Sequence, residues 1–215
     1  ARNTAAVAAV AAEFVGRIDP DGLVLLLPSD HFIGDPAAFR KAIADAVTVA
    51  NTGRIVTFGI APDRPETGFG YIRAGEEIGP SAYAVDSFRE KPDHATALAY
   101  LADGNYSWNA GIFLFQAGLM RAELATHAAD VLTSTQAALD KTVADGAVHR
   151  IDETAFAQVR SVSIDYAVME HTTNAAVFGP LSCAWSDVGT WPAVGDLQTS
   201  SGPVEPVLID TKNCT

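Results

Sequence analysis

The chain has 215 residues, and its 14 basic and 26 acidic side chains give a formal net charge of −12 at pH 7. This acidic balance argues against a nucleic-acid-binding protein, which would need a basic face to follow a phosphate backbone. An apolar content of 48% excludes wholesale disorder, and no apolar run is long enough to span a membrane.

Helices and strands alternate along the predicted chain, with capping and turn residues between them. In the first half of the chain the predicted elements are a helix over 3–15 with Asn3 or Thr4 as N-cap, a strand over 23–27, a helix that Asp35 caps, that begins at Pro36 and closes at Gly53, and strands over 54–60 and 83–89. They are followed by a helix that Asp93 caps and that ends at Gly104, a strand over 112–115, a largely helical stretch over 116–145, a helix that Asp152 caps, a helix from Ser163, and a strand-like stretch over 177–185. Residues 61–80 are rich in Pro, Gly and charge, which suits a functional loop or a turn into an edge strand.

The repeated strand–helix–strand order predicts an α/β fold with an open, mostly parallel sheet flanked by helices. Residues 23–27 form an uninterrupted apolar run, which is typical of a strand buried on both faces. We assign residues 1–199 to one domain. Residues 200–215, which are rich in Pro, Gly and Ser at their start, are predicted to be a linker or the start of a C-terminal β segment.

Two aspartates are candidate metal ligands. Asp30 follows the strand over 23–27, at the edge where open α/β sheets bind ligands, although a turn-capping role fits it equally well. Asp187 lies in a loop between two tryptophans, and it completes a metal site only if the fold brings it to Asp30. Mg²⁺ suits such a pair, because it takes one or two carboxylates and fills its other positions with phosphate oxygens and water.

A second group of residues suits a sugar phosphate. Glu90 and Lys91 stand where a proline ends a predicted strand; the lysine can pair with a phosphate and the glutamate can accept hydrogen bonds from hydroxyls. Asn109 can donate and accept, and Gly70 would let the backbone approach a ligand closely. Each signal alone is equally typical of a solvated turn or a β-bulge.

Three other titratable residues are predicted to be structural. His31 stands beside an aspartate, where a histidine usually makes a structural hydrogen bond. Asp165 and Glu170 lie on a predicted helix, so we expect both to be surface charges.

Seven short motifs follow one another in an order that resembles one enzyme family. They are Arg2-Asn3-Thr4-Ala5, Pro28-Ser29-Asp30-His31, Thr67-Gly68-Phe69-Gly70-Tyr71, Phe88-Arg89-Glu90-Lys91-Pro92, Trp108-Asn109-Ala110-Gly111, Ser163-Ile164-Asp165-Tyr166 and Trp185-Ser186-Asp187-Val188-Gly189. Over nearly its whole length the chain resembles the bacterial mannose-1-phosphate guanylyltransferases, particularly those often fused to a phosphomannose isomerase. The resemblance implies a Rossmann-like nucleotidyltransferase α/β sandwich and a place in nucleotide-sugar and polysaccharide biosynthesis.

The resemblance also implies roles for the residues at matching positions. Asp30 and Asp187 would bind the metal ion, Mg²⁺; Gly70, Glu90, Lys91 and Asn109 would contact the sugar phosphate; Arg2, Asn3 and Asp30 would lie near the nucleotide; and Lys91 and Asp30 would be the catalytic residues.

The implied reaction joins GTP and mannose 1-phosphate. A phosphate oxygen of mannose 1-phosphate attacks the α-phosphorus of GTP, GDP-mannose forms and pyrophosphate leaves. Catalysis would then consist of positioning and of charge neutralisation by Mg²⁺ and cationic side chains. Two alternatives stay open: a nucleotidyltransferase for another sugar 1-phosphate, and a regulatory subunit that binds nucleotide sugars without turnover.

The start of the chain departs from the family pattern. Family members carry a Gly-rich phosphate loop before the segment that begins here, and residues 1–20 contain no such loop. We therefore expect a fold that is incomplete at its N-terminus, weak activity of the isolated chain, and completion by a homodimer partner or a separate N-terminal segment. The two cysteines, Cys183 and Cys214, cannot build a disulfide framework and favour a reducing compartment, which we expect to be the cytoplasm.

Overall fold

The computed structural model describes residues 2–146 and 148–189. Its helices are α1 (Asn3–Gly16), α2 (Pro36–Ala50), α3 (His94–Asp103), α4 (Ala117–His127), α5 (Ala129–Leu139) and α6 (Glu153–Phe156), with a π-helical turn at Asp165–Met169. Its strands are β1 (Leu23–Leu26), β2 (His31–Ile33), β3 (Ile55–Ile60), β4 (Tyr71–Gly79), β5 (Ala82–Arg89), β6 (Tyr106–Gln116), β7 (Val143–Asp145), β8 (Val148–Arg150), β9 (Ala175–Phe178) and β10 (Trp185–Asp187). None of the helices in these ranges is both long and apolar enough to cross a bilayer. The expected domain boundary at 199/200 lies outside the described residues.

Six strands form a mixed sheet in the order β1-β6-β3-β9-β5-β4. Strands β3 and β9 are parallel, whereas the other described pairings in this sheet are antiparallel. The predicted α/β fold is confirmed, but the sheet is mixed and not mostly parallel. One reason is that only Pro80 and Ser81 separate β4 from β5, and so short a connection joins antiparallel strands.

The β4–β5 hairpin links two separate parts of the sheet. Near its base, β4 pairs with β6, and near its turn, β5 pairs with β9. Residues 71–79 therefore form a strand, although we expected residues 61–80 to be a loop or a turn into an edge strand. Tyr71 and Ile72 are fully buried, while the charged residues Glu76 and Glu77, which suggested a loop, stand on the exposed part of the hairpin.

Helices cover both faces of the sheet. On one face the alanines of α1 pack with Phe113 and Phe115 of β6, and on the other face α2 packs with Ile112 and Leu114 of the same strand. This alternation buries β6 on both sides. Strand β1, which we expected to be buried on both faces, is half-buried except at Val24, because it stands at the end of the strand order among the described residues.

Three predicted N-caps are confirmed: Asp35, Asp93 and Asp152 each accept a hydrogen bond from a backbone N–H in the first turn of their helix. The start of α1 differs from the prediction. Arg2 is its N-cap, and the Thr4 hydroxyl accepts a hydrogen bond from the Ile164 amide instead of capping its own helix.

The helical layer contains one deeply buried carboxylate. Glu13 of α1 is 2% exposed, and its Oε1 accepts hydrogen bonds from Arg121 Nε of α4 at 2.8 Å and from Gln136 Nε2 of α5 at 2.9 Å. A buried charge is tolerated when it is paired and hydrogen-bonded in this way. Glu13 therefore connects the three helices that pack over one face of the sheet.

Candidate active site

Gly70, Glu90 and Asn109 meet beside strand β4. Because β4 pairs with both β5 and β6, the residue before it lies between the end of β5 and the middle of β6. The backbone N–H of Asn109 donates a hydrogen bond to the Gly70 carbonyl at 2.8 Å. A Cβ atom on Gly70 would lie 2.7 Å from Glu90 Oε2 and 3.3 Å from the Asn109 Cβ, so no side chain fits there without moving Glu90.

The side-chain amide of Asn109 is held from three sides. Its Oδ1 accepts hydrogen bonds from Thr57 Oγ1 at 2.7 Å and from the Gly111 amide at 3.1 Å. Its Nδ2 donates to Asp165 Oδ1 at 2.9 Å. These partners fix both the position and the orientation of a side chain that is only 8% exposed.

Lys91 has a left-handed backbone conformation, with φ of +46°. This conformation is uncommon for a residue other than glycine and costs about 1 kcal/mol or more, so surrounding contacts must hold it. One such contact is the hydrogen bond that the Lys91 amide donates to the Phe69 carbonyl at 3.3 Å. The ammonium Nζ lies 3.7 Å from Glu90 Oε1, and the side chain is otherwise half exposed to the cleft.

Burial raises the pKa of Glu90 to about 7, and the negative charges of Asp165 and Glu170 add to this rise while Lys91 opposes it. Burial also raises the pKa of Asp165. At neutral pH Glu90 is therefore divided between its charged and neutral forms, and it can either accept or donate a hydrogen bond.

Asp165 and Glu170 were expected to be surface charges, and that expectation is wrong. Both are partly buried and contact the candidate site, since Asp165 binds Asn109 and Glu170 Oε1 accepts a hydrogen bond from the Glu90 amide at 2.9 Å. No signal in the sequence could have found them, because residue types do not distinguish an α-helix from a π-helical turn, which places residues five apart on one side.

Asp30 and Asp187 are also brought together. Strand β10 pairs with β2 so that Asp187 stands opposite His31, the neighbour of Asp30. A Cβ atom on Gly189 would lie 3.0 Å from Asp187 Oδ1 and 3.8 Å from Asp30 Oδ2, so both carboxylates face one point.

This carboxylate pair fits the donor set that Mg²⁺ prefers. Within 2–146 and 148–189 no group of three or more His, Cys, Asp or Glu side chains is arranged to hold a metal ion. Two carboxylates leave most of the coordination positions for phosphate oxygens and water, which is how Mg²⁺ is usually bound beside a phosphate substrate.

His31 has the structural role that we expected. Its Nδ1 accepts a hydrogen bond from Trp185 Nε1 at 3.0 Å. Burial lowers the pKa of His31, and the nearby charges of Asp187 and Asp30 only partly offset that effect. A neutral His31 therefore connects the β2–β10 pair to the aromatic residues beside it.

Two adjacent cavities connect the carboxylate pair with the sugar-phosphate candidates. One of about 150 Å³ is lined by Gly70, Glu90, Lys91, Asn109, Asp165 and Asp187. The other, of about 370 Å³, is lined by Asp30, Thr4, Leu26 and Leu27, and Gly111 lines both. Arg2 and Asn3 directly precede Thr4 in the chain, but neither is among the residues that line these two cavities.

Residues 1–201 match the sequence model described as nucleotidyl transferase. The chain belongs to the nucleotidyl transferase family. The xanthan biosynthesis protein XanB of Xanthomonas campestris is 48% identical over 201 residues, which cover 94% of this chain and 42% of that protein. A mannose-1-phosphate guanylyltransferase of Sinorhizobium fredii is 48% identical over 194 residues, which cover 90% of this chain and 38% of that protein.

A solved structure also resembles this member of the nucleotidyl transferase family. A mannose-6-phosphate isomerase from Helicobacter pylori matches with a TM-score of 0.79 and 33% identity, over 86% of this chain and 71% of that one. The family resemblance seen in the motifs is thus confirmed in sequence and in fold. The chain spans less than half the length of the two curated relatives named above.

Proposed function

We propose that the protein carrying this chain transfers a guanylyl group from GTP to mannose 1-phosphate, releasing pyrophosphate and forming GDP-mannose. The observation that carries the proposal is the shared cavity: a lysine, a glutamate and an asparagine suited to a sugar phosphate line it together with Asp187, which faces the same point as Asp30. The names of the relatives support the same choice of substrates.

In this proposal the sugar phosphate lies against Gly70. The Lys91 ammonium pairs with the phosphate as a point charge, and its fixed backbone limits where that charge can be placed. The Glu90 carboxyl and the Asn109 amide bind hydroxyls of the sugar. The absence of a side chain at Gly70 lets Glu90 and Asn109 pack closely against its backbone, which keeps both side chains beside the sugar.

Asp30 and Asp187 would hold Mg²⁺. When bound, the ion would neutralise charge on the phosphates of the two substrates. Arg2 and Asn3 would lie near the nucleotide. We also propose a cytoplasmic location. A further part of the proposal is that an N-terminal segment or a second copy of the chain completes the site. The proposal is therefore tested on the full-length protein.

The test is a steady-state assay of GDP-mannose formation with wild type, Lys91→Ala and a control, Lys41→Ala, which changes an exposed lysine of α2. Loss of a charge-assisted contact should raise KM for mannose 1-phosphate about tenfold to a hundredfold in Lys91→Ala, with KM for GTP changed less than about threefold. The control should match wild type. Equal effects on both substrates, preference for another sugar 1-phosphate, or binding without turnover would each contradict the proposal.

A further inference from the structure

The π-helical turn at 165–169 places two carboxylates on one side of the chain. The Glu170 amide donates a hydrogen bond to the Asp165 carbonyl at 3.0 Å, five residues back. In an α-helix, a side chain five positions further on points about 140° away around the axis. In a π-turn the two residues are hydrogen-bonded neighbours on successive turns, so both side chains reach the same site.

Within residues 2–146 and 148–189, the two carboxylates have different hydrogen-bond partners. Asp165 binds the Asn109 amide, whereas Glu170 Oε1 accepts a hydrogen bond from the backbone N–H of Glu90 at 2.9 Å. The next residue, Lys91, is the one with the left-handed backbone. Its own N–H donates a hydrogen bond to the Phe69 carbonyl at 3.3 Å.

Through its hydrogen bond with the Glu90 N–H, Glu170 contacts the backbone beside Lys91. The bond itself does not involve a side chain that lines the cleft. A carboxylate oxygen and an amide oxygen of the same reach can both accept a hydrogen bond from a backbone N–H. The hydrogen bond to Glu170 Oε1 therefore helps to hold the Lys91 backbone in its uncommon conformation. Without it, the backbone around Glu90 and Lys91 has one fewer contact that opposes relaxation of Lys91 to an ordinary φ, and such a relaxation would redirect the lysine side chain.

We propose that Glu170 is a positioning residue of the sugar-phosphate site: it anchors the backbone of Glu90 and thereby aims the Lys91 ammonium at the phosphate. This inference rests on the proposed function and adds to it a residue that need not contact the substrate. We attribute this anchoring role to the position of the Glu170 acceptor oxygen and not to the negative charge of the carboxylate.

A matched pair of variants separates reach from charge. Glu170→Gln keeps an acceptor oxygen at the same distance and removes the charge, while Glu170→Asp keeps the charge and withdraws the oxygen by one methylene. The readouts are calorimetric binding of mannose 1-phosphate to the full-length protein and KM for each substrate, with Glu76→Asp on the exposed hairpin as control. We expect Glu170→Asp to weaken mannose 1-phosphate binding about tenfold and Glu170→Gln less than about threefold, with KM for GTP nearly unchanged.

A double-mutant cycle tests whether Glu170 acts through Lys91. In a Lys91→Ala background the effect of Glu170→Asp on mannose 1-phosphate should fall to less than about twofold, because there is no ammonium left to aim. Additive effects, a stronger loss in Glu170→Gln than in Glu170→Asp, or an equal loss for GTP would overturn the inference. If wild type binds mannose 1-phosphate but Lys91→Ala binds it equally well, the proposed function fails first and this inference fails with it. A thermal melt shows whether each variant is folded. If only Glu170→Asp misfolds, Glu170→Gln and its cycle with Lys91→Ala still decide. A loss of mannose 1-phosphate binding above about threefold in Glu170→Gln contradicts the role of reach.

Discussion

Replacing Glu90 with glutamine should flatten the pH dependence of stability between about pH 4.5 and pH 7. Burial and two neighbouring carboxylates raise the pKa of Glu90 from 4.5 to about 7 in the folded chain. The folded state therefore holds this proton more tightly than the unfolded state does. The resulting stabilisation is complete below about pH 4.5 and is lost as the pH rises through about 7. Glutamine cannot titrate, so the variant lacks this loss.

The size of the effect follows from the two pKa values. A rise from 4.5 to about 7 corresponds to at most about 3.4 kcal/mol. Solvent reaches part of the site and the nearby Lys91 ammonium is more than half exposed, so screening reduces this figure. We expect wild type to lose about 1 to 2 kcal/mol relative to Glu90→Gln across the window.

The assay is urea unfolding of wild type, Glu90→Gln and the exposed control Glu76→Gln at several pH values from 4.5 to 8. The pKa of Asp165 is also raised, so a smaller fall in the same direction should remain in Glu90→Gln. The control should follow wild type. A Glu90→Gln curve that falls as steeply as wild type would refute the argument, as would a wild-type protein that gains stability relative to the variant as the pH rises.

Two further substitutions test the packing around the site and in the helical layer. Gly70→Ala would bring a methyl group to 2.7 Å from Glu90 Oε2 and push that carboxyl aside; we expect KM for mannose 1-phosphate to rise about tenfold, and an unchanged KM would contradict the close fit. Glu13→Ala would leave Arg121 and Gln136 without their acceptor in the helical layer; we expect a loss of about 2 to 3 kcal/mol in urea unfolding with KM unchanged, and a loss below about 0.5 kcal/mol would show that the pairing adds little.

Local signals in the sequence were sufficient for the starts of three helices. Asp35, Asp93 and Asp152 are caps by residue type and position, and each makes the expected hydrogen bond. The direction of the strands was harder to predict from the sequence, because a buried strand has the same apolar residue pattern whether its neighbour is parallel or antiparallel. The apolar run of β6 gives no sign that it lies antiparallel to both β1 and β3.

The candidate site depends on contacts between residues far apart in the chain. Asp30 and Asp187 meet through the pairing of β2 with β10, two strands of three residues each, which are too short to show a period of two. Motif order suggested both aspartates, but only the pairing shows that they face one point. Glu170 was missed for a different reason: residue types do not distinguish a π-turn from an α-helix, and in an α-helix its side chain would point away from the site.

The hydrogen bonds of Asn109 determine whether its side chain acts as a donor or as an acceptor toward a ligand. An amide oxygen has two lone pairs, and here Thr57 and Gly111 use both. Among the described residues, Asp165 accepts one of the two Nδ2 hydrogens, which leaves the second N–H for a ligand. A hydroxyl can turn a lone pair toward that N–H, whereas a protonated amine has no lone pair to turn. In the proposed site Asn109 would therefore donate to the neutral hydroxyl of a hexose and would not bind an amino sugar in its ammonium form, although from the sequence we had expected it to serve as donor and acceptor alike.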